Sequence, residues 1–289
     1  ILHFFQPCIW TAVMVIQNYC FYIYASGAAW ATFGATTNGI TRFNTALANT
    51  ITNNHNMDAT GAGSQQQLSQ VAYFNPAQYL NIWVVNSIAL TQGGPNVVLG
   101  YAPFPLLGTG AFIDGIVMRL DAFGLNSSNP RYNQGRVLVH EAGHYLGLFH
   151  TFQFGCAGTT PANCTTSGDE CCDTPPVFSA NQNDCAVFAA TTPNSCIETP
   201  TDLPDMYENH MDYAWDPIGT CRNTFTDNQV DRMHATIQLF RNQLVSFSNL
   251  IARGLTNATG CLAGAVLSLI HISEPTRQAE ISYAVFCLK

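Results

Sequence analysis

Charged side chains are scarce in this chain. Asp, Glu, Lys and Arg make up 10% of its 289 residues, and the only lysine is the last residue, Lys289. Acidic residues outnumber basic ones by 18 to 10, which gives a net charge of −8 at pH 7. A negative chain with so few cations is poorly suited to bind phosphate backbones or anionic lipid. We therefore expect neither nucleic acid nor a membrane as a partner.

Several catalytic signatures are also missing. The chain has no GxSxG, P-loop or dinucleotide-binding motif and no internal repeat. These absences argue against nucleophile-elbow hydrolases, nucleotide-binding enzymes and repeat proteins.

Cysteine, in contrast, is abundant. Most of the eleven cysteines lie in 156–221, and none of them forms a CxxC pair. In a chain rich in Asn, Thr, Ser and Gln, this cluster indicates disulfides formed in an oxidising compartment. A second zinc site is the alternative, but the spacings do not match known zinc fingers. Sequons at Asn126, Asn163 and Asn257 are compatible with secretion, so we expect an extracellular protein.

Both ends of the chain are unusual. It begins at Ile1, and residues 1–41 contain no Asp, Glu, Lys or Arg. Residues 1–27 therefore allow two interpretations, a signal segment or membrane anchor, and a translated intron or mis-assembly. Residues 267–289 can be back-translated into DNA that resembles a sequencing-library adaptor, so we expect them to be non-native. Between the ends we expect one domain, 28–253, followed by a tail, 254–266.

The segment HEAGHYLGLFH carries the clearest chemical signal. On an α-helix, residues four apart lie on one face, so His140 and His144 can present two imidazoles to one metal ion. Gly147 predicts the end of the helix, because glycine adopts the left-handed conformation at little cost. The chain can then turn and bring His150 back as a third ligand. Three imidazoles leave one position of a zinc ion open, which is the catalytic arrangement.

Glu141 supplies the base that this chemistry needs. On a helix it is rotated by about 100° from His140, so it can reach a zinc-bound water more easily than the ion itself. Zinc lowers the pKa of such a water towards about 7, and a carboxylate can take its proton during attack on a carbonyl. The sequence thus predicts amide hydrolysis. The alternatives are a zinc site without catalysis and a buried helix with incidental histidines, whose imidazoles would then need other partners.

The pattern HExxHxxGxxH resembles that of the metzincin clan of zinc endopeptidases. That clan carries a Met-turn beneath the metal, and the string ENHMDYAWD offers Met211 as the methionine, with Tyr213 two positions later. The resemblance implies that the Met211 thioether forms an apolar floor under the imidazoles. It also implies that the Tyr213 hydroxyl stabilises the oxyanion of the reaction.

Further strings resemble the pappalysin family within this clan, in its secreted branch. They are HTFQFGC, GDECCDTPP, NHMDY and FTDNQVDRM, and the resemblance covers about residues 28–245. It implies a secreted zinc endopeptidase with an α/β (α+β) metzincin-like catalytic domain. Such a domain has a twisted mixed sheet and backing helices above the cleft and an irregular, disulfide-rich part below it. A catalytically incompetent zinc-binding domain is the alternative, and we expect a monomer in either case.

The resemblance extends to the lower part of the domain. It implies two disulfides, Cys156–Cys196 and Cys185–Cys221. A third bridge could join Cys164 to Cys171 or Cys172, since sequence alone cannot decide connectivity. Relatives also bind calcium below the active site, and oxygen donors of suitable hardness are Asp169, Asp173 and the Thr174 carbonyl. Solvated loop carboxylates are the alternative to this calcium site.

Short apolar runs upstream predict the sheet. LNIWVV at 80–85 and GIVMRL at 115–120 are typical of inner strands. Val98–Pro105 is interrupted by glycine and prolines, which suits an edge strand. The resemblance implies that this edge binds an extended peptide substrate by β-augmentation. A helix is predicted over 227–245, and three histidines outside the motif are interpreted as non-ligands: His55 in a polar loop, His210 and His234.

Overall fold

The computed structural model describes residues 12–16, 19–23, 55–57, 65–71, 73–90, 98–105, 114–123, 131–132, 135–215 and 221–252. The predictions for 254–266 and 267–289 lie outside these ranges, as does most of 1–27. The elements, in chain order, are β1 Ala12–Ile16, β2 Tyr19–Ile23, α1 Gln65–Val71, β3 Ile82–Val85, β4 Gly100–Tyr101, β5 Ile116–Arg119, a 3₁₀ turn Leu120–Ala122, α2 Arg136–Tyr145, α3 Cys185–Thr191, α4 Asp227–Phe240 and α5 Phe247–Ala252.

Strands β1 and β2 pair with each other within the apolar N-terminal segment. They pair antiparallel, with Ala12 opposite Ile23 and Ile16 opposite Tyr19. β-branched and aromatic residues, which favour extended backbone, make up most of both strands. Among the described helices, none combines the length and the apolar character needed to cross a membrane.

A three-stranded mixed sheet carries the strand order β3-β5-β4. β3 runs parallel to β5, with Ile82 opposite Ile116, and β4 runs antiparallel, with Gly100 opposite Met118. All four residues of β5 are buried, as expected for the inner strand that the sequence predicts. β4 is an edge strand among the described residues, also as predicted. β3, predicted to be inner, has a single strand partner there.

Helix α2 passes through the centre of the main core. Every residue from Val137 to Tyr145 is buried. The helix packs with β5, α4 and the Met-turn methionine in one apolar cluster, whose fully buried members include Ile116, Met118, Leu146, Leu148, Met211 and Met233. Such burial stabilises by about 1.5–3 kcal/mol for each large apolar side chain. The histidines of α2 are therefore carried by a helix that is packed into the main core.

Helix α4 begins with a capping box and ends earlier than the sequence predicts. The Thr226 hydroxyl accepts from the Gln229 amide, and the Gln229 side chain accepts from the Thr226 amide. The helix ends at Phe240, whereas its pattern predicts 245, because Arg241 leaves helical geometry. The buried Arg241 side chain instead donates to the Tyr145 carbonyl at 3.1 Å and forms an ion pair with Asp114 at 2.6 Å.

The part below α2 is irregular and held by disulfides. Within 146–215 and 221–226, α3 is the only helix. The bridges are Cys156–Cys196, Cys164–Cys172 and Cys185–Cys221. The two longer bridges are the pairings that the resemblance implies, and Cys164 pairs with Cys172 and not with Cys171. Cys171 is buried and forms no disulfide.

Candidate metal centre and active site

The turn after α2 brings the third histidine back towards the helix. Gly147 has φ of +89°, the left-handed conformation that the sequence predicts for it. Its amide donates to the His144 carbonyl, and the next amide, of Leu148, donates to the Gly143 carbonyl, both at 2.9 Å. These two bonds form a Schellman motif, which ends the helix and reverses the chain. A side chain at 147 would also lie 2.7 Å from Thr236 Oγ1, so glycine is required by space as well.

Three imidazoles converge on one point. The Nε2 atoms of His140, His144 and His150 are separated by 3.0–3.2 Å. His140 Nδ1 donates to the His210 carbonyl and His144 Nδ1 to the Leu148 carbonyl, each at 2.7 Å. Because a carbonyl can only accept, each Nδ1 carries the proton, and a neutral ring then has a lone pair on Nε2. At least two lone pairs therefore point into a shared space, which a cation would stabilise.

This donor set fits zinc. Nitrogens 3.0–3.2 Å apart can all lie at the Zn–N distance of about 2.0–2.1 Å from one ion. Among the described residues, these histidines are the one group of three or more His, Cys, Asp or Glu side chains arranged to hold a metal. The carbonyl acceptors on two Nδ1 atoms are the outer partners that orient metal-binding histidines.

Burial keeps the histidines in the form that binds metal. It lowers the pKa of His144 to about 4 and that of His150 to about 3, and it lowers the pKa of His140 well below the ordinary value. The charge of the neighbouring Arg222 lowers the pKa of His140 and His150 further. All three rings are therefore neutral at pH 7, and in His140 and His144 the one remaining proton is on Nδ1, which leaves Nε2 free to bind a metal.

Glu141 lies on α2 between the metal-facing histidines and the sheet. It is 5% exposed, and burial raises its pKa to about 8, while Arg222 opposes this shift. Its Cγ is within 3 Å of the place that a side chain on Gly100 of β4 would occupy. The edge strand therefore passes directly over this glutamate.

The Met-turn packs against α2, and a glycine allows its close approach. Met211 is fully buried, and a side chain at Gly143 would lie 2.4 Å from Met211 Sδ. The Asn209 side chain accepts from the Met211 amide at 2.9 Å and donates to Gln229 at 2.9 Å. The Thr151 amide donates to the Met211 carbonyl at 3.4 Å. The turn is thus tied to α4 and to the residue after His150.

Tyr213 also reaches the three-histidine centre. Its hydroxyl is 3.1 Å from His150 Nε2, and its side chain is partly exposed, at 39%. Burial of the rest of the ring raises its pKa to about 12, so it stays protonated at neutral pH. Phe152 stacks on His150 with ring centroids 4.5 Å apart and meets Tyr213 edge-on at 4.9 Å. Phe152 therefore supports both groups.

Two residues of the site, Arg222 and Asp212, were not predicted from the sequence. Arg222 is buried, and its Nη2 donates to the His210 carbonyl at 2.6 Å, the carbonyl that also accepts from His140. The buried Asp212 accepts from the Thr151 hydroxyl and from both the amide and the side chain of Asn181. The one available signal for Asp212 was its place in the Met-turn string ENHMDYAWD. Arginine after a cysteine carries none.

The predicted calcium ligands form a neighbourhood beside the start of α4. Asp169 is buried, and its pKa is raised to about 7 by burial, with a further contribution from the charge of Asp173. Asp169 Oδ1 accepts from the Cys171 amide at 3.0 Å, and Asp173 Oδ2 accepts from the Asn228 amide at 2.9 Å. The Thr174 hydroxyl forms a hydrogen bond with that of Thr226 at 3.0 Å. These carboxylates therefore have protein partners.

His55 lies outside regular secondary structure and outside the metal-binding group, as predicted, but it is not a surface residue. His55 is fully buried, and its Nε2 lies 2.7 Å from the Tyr101 hydroxyl of β4. His210 is also buried but contributes its backbone carbonyl to the site, through His140. The short polar string around His55 gave no sign of this tertiary contact.

The fold and the three-histidine centre together define an α/β domain of the zinc-binding HExxH class. The family model described as Peptidase_M43, pregnancy-associated plasma protein-A, matches residues 62–238. The chain therefore belongs to this family, the pappalysins, and with the converging histidines this membership indicates zinc as the metal.

Similar proteins come from fungi and bacteria. An extracellular metalloprotease of Colletotrichum graminicola is 31% identical over 199 residues, 67% of this chain and 62% of the relative. Extracellular metalloprotease 1 of Coccidioides posadasii is 35% identical over 146 residues, 50% of this chain and 46% of the relative. The chain thus spans between 46% and 62% of these relatives. Tannerella forsythia mature mirolysin, solved with a cleaved peptide, is 27% identical, with a TM-score of 0.49 over 78% of this chain and 81% of that one.

Proposed function

We propose that this protein is a secreted zinc-dependent endopeptidase. The observation that carries the proposal is the convergence of three neutral imidazoles, 3.0–3.2 Å apart, next to the buried carboxyl group of Glu141. Membership of the pappalysin family supports it, and so do relatives named extracellular metalloproteases. The three disulfides are consistent with an oxidising compartment.

Each residue of the centre has a distinct role in this proposal. His140, His144 and His150 hold the zinc, which when bound acidifies water and polarises a carbonyl. Glu141 accepts a proton from the attacking water and passes it to the leaving amine. Tyr213 donates its hydroxyl hydrogen bond to the oxyanion that forms on the substrate. Met211 packs beneath the imidazoles and fixes their position.

The substrate in this proposal is a polypeptide in extended conformation. β4 pairs with β5 along one edge, and no described strand pairs with its other edge. A peptide can extend the sheet there, along Val98–Pro105, through backbone hydrogen bonds. We propose a monomer, because a single chain supplies every group of the centre, and light scattering of the purified protein would test this.

Hydrolysis of a quenched casein or gelatin substrate tests the proposed activity. We expect turnover that a zinc chelator inhibits and that added zinc restores. Glu141→Ala should lower kcat by about 10²–10⁴-fold while one equivalent of zinc stays bound. If the wild-type protein binds one equivalent of zinc and shows no turnover, the chain is a non-catalytic zinc-binding domain.

We also propose a calcium site at Asp169, Asp173 and the Thr174 carbonyl. It is supported by two carboxylates close enough for the charge of Asp173 to raise the pKa of the buried Asp169, since a hard cation would relieve this repulsion. Calcium should raise the thermal midpoint of wild-type protein and leave Asp169→Asn unchanged. Equal shifts in both proteins would contradict the proposal.

A further inference from the structure

Gly100 occupies a position where the structure leaves no room for a side chain. It is buried in β4, opposite Met118 of β5. A Cβ at Gly100 would lie 2.8 Å from Met118 Sδ, 2.9 Å from Glu141 Cγ and 3.1 Å from the Val117 carbonyl oxygen. Contacts below 3.0 Å do not occur at real Cβ atoms, so alanine here would force a neighbour to move.

Glycine is required at position 100 because there is no space for a side chain, and its backbone conformation does not require glycine. Gly100 does not have the positive φ of Gly147, so an L-residue could adopt its backbone. Of the three neighbours, the Val117 carbonyl belongs to the sheet backbone and cannot shift without disturbing β5. Met118 is fully enclosed in the core. Glu141 is 5% exposed, whereas Met118 is 0% exposed, so Glu141 is the side-chain neighbour with more room to move.

We propose that Gly100 is a positioning residue for Glu141. Without a side chain, the edge strand lies directly on the stem of Glu141 and fixes the place of its carboxyl group relative to the three imidazoles. The strand that is proposed to bind the substrate therefore also holds the base. The catalytic consequence depends on the proposed peptidase function, whereas the contact itself does not.

The catalytic test is Gly100→Ala in the zinc-loaded protein. Displacement of a base by about 1 Å costs on the order of 10²-fold in rate. We therefore expect kcat to fall by about 10- to 100-fold, with KM changed by less than about threefold and one equivalent of zinc retained. An unchanged kcat in a folded Gly100→Ala protein would overturn the positioning role.

A stability cycle tests the contact without any activity measurement. Gly100→Ala is made in three backgrounds: wild type, Glu141→Gln, which keeps Cγ, and Glu141→Ala, which removes it. We expect the thermal midpoint to fall by similar amounts in the first two backgrounds and by clearly less in the third. Equal falls in all three would show that Glu141 is not the neighbour that yields, and the proposal would fail. Absence of wild-type turnover would instead count against the peptidase function alone.

Gly115→Ala serves as the matched control. Its Cβ would lie 2.5–2.9 Å from Trp83 and Asn81, and none of its three nearest atoms belongs to Glu141. Its destabilisation should therefore be the same in all three backgrounds. Should Gly100→Ala not fold, the cycle is repeated with Met118→Ala in every protein, which removes the Sδ neighbour. The fall in thermal midpoint is then again expected to be larger in the Glu141→Gln background than in the Glu141→Ala background. Absence of this difference overturns the proposal.

Discussion

Burial governs the protonation of Glu141 in the metal-free protein. Its pKa is about 8 in the folded state, against an ordinary value of 4.5. Between these values the folded state keeps a proton that the unfolded chain releases. The contribution of Glu141 to stability is therefore complete below pH 4.5 and is lost as the pH rises towards 8.

Glu141→Gln should isolate this effect, because glutamine has the same shape and cannot ionise. In chelator, we expect wild type and variant to be close in stability near pH 5, and the variant to become more stable towards pH 8, by an amount on the order of a few kcal/mol. Urea unfolding across this pH range is the measurement. With zinc bound, the ion favours the carboxylate and the pH dependence should shrink. A difference that does not vary with pH would contradict the burial argument.

Tyr213 makes a second residue-scale prediction. Its hydroxyl lies 3.1 Å from His150 Nε2, and its pKa of about 12 keeps it a donor at neutral pH. Tyr213→Phe removes one donor from the oxyanion and leaves the aromatic packing on Phe152 intact. We expect kcat to fall by about 10²–10³-fold with little change in KM. Comparable losses in a variant that also releases zinc would point to a structural role, so metal content is measured alongside the rates.

At the scale of elements, the start of α4 links helix stability to the metal centre. Gln229 accepts from the Thr226 amide and from Asn209, the residue whose side chain also holds the Met211 amide. Thr226→Ala removes the cap hydroxyl and should lower the free energy of unfolding by about 1–2 kcal/mol. Thr226→Ser keeps that hydroxyl and should recover most of the loss. Chemical denaturation of both variants makes the comparison, and equal losses would show that the methyl group, and not the cap, stabilises the helix.

The elements that the sequence predicts well are those set by local pattern. The 3.6-residue period of α2 and the left-handed turn at Gly147 depend on neighbours within a few residues, and both are found as predicted. The end of α4 depends on contacts of Arg241 with Asp114 and Tyr145, far away in the chain. Its position was therefore missed. The burial of His55 could not be predicted for the same reason, since its partner Tyr101 is 46 residues away.

At the scale of the whole molecule, the metal centre combines a local and a long-range part. His140, Glu141, His144 and His150 lie within eleven residues, so their spacing alone predicts the convergence. Arg222 belongs to the same centre although it lies 82 residues after His140. The need for a glycine at position 100 becomes visible only in the folded structure, where β4 lies over α2. Spacing rules carry no information about such contacts.

Disulfides hold together residues of the metal centre's surroundings that are far apart in the chain. Removing the longer and the shorter bridge should therefore have unequal effects on stability. Cys185–Cys221 joins residues 36 apart and Cys164–Cys172 residues 8 apart. Loop-closure entropy gives about 4 kcal/mol for the longer loop and about 2.5 kcal/mol for the shorter. Cys221 also precedes Arg222, whose guanidinium holds the His210 carbonyl that orients His140.

The double variant Cys185→Ala/Cys221→Ala should therefore lose more stability than Cys164→Ala/Cys172→Ala, and it should also release zinc faster to a chelator. The shorter bridge closes the loop that contains Asp169. The hydrogen-bond partners of the three histidines named above, the His210 and Leu148 carbonyls and the Tyr213 hydroxyl, lie outside this loop, so its removal should leave zinc release unchanged. Urea unfolding and a colorimetric chelator assay make the two measurements. Equal zinc release from both variants would mean that the backbone at Arg222 is held by its own packing, and that the bridge contributes stability without ordering the metal centre.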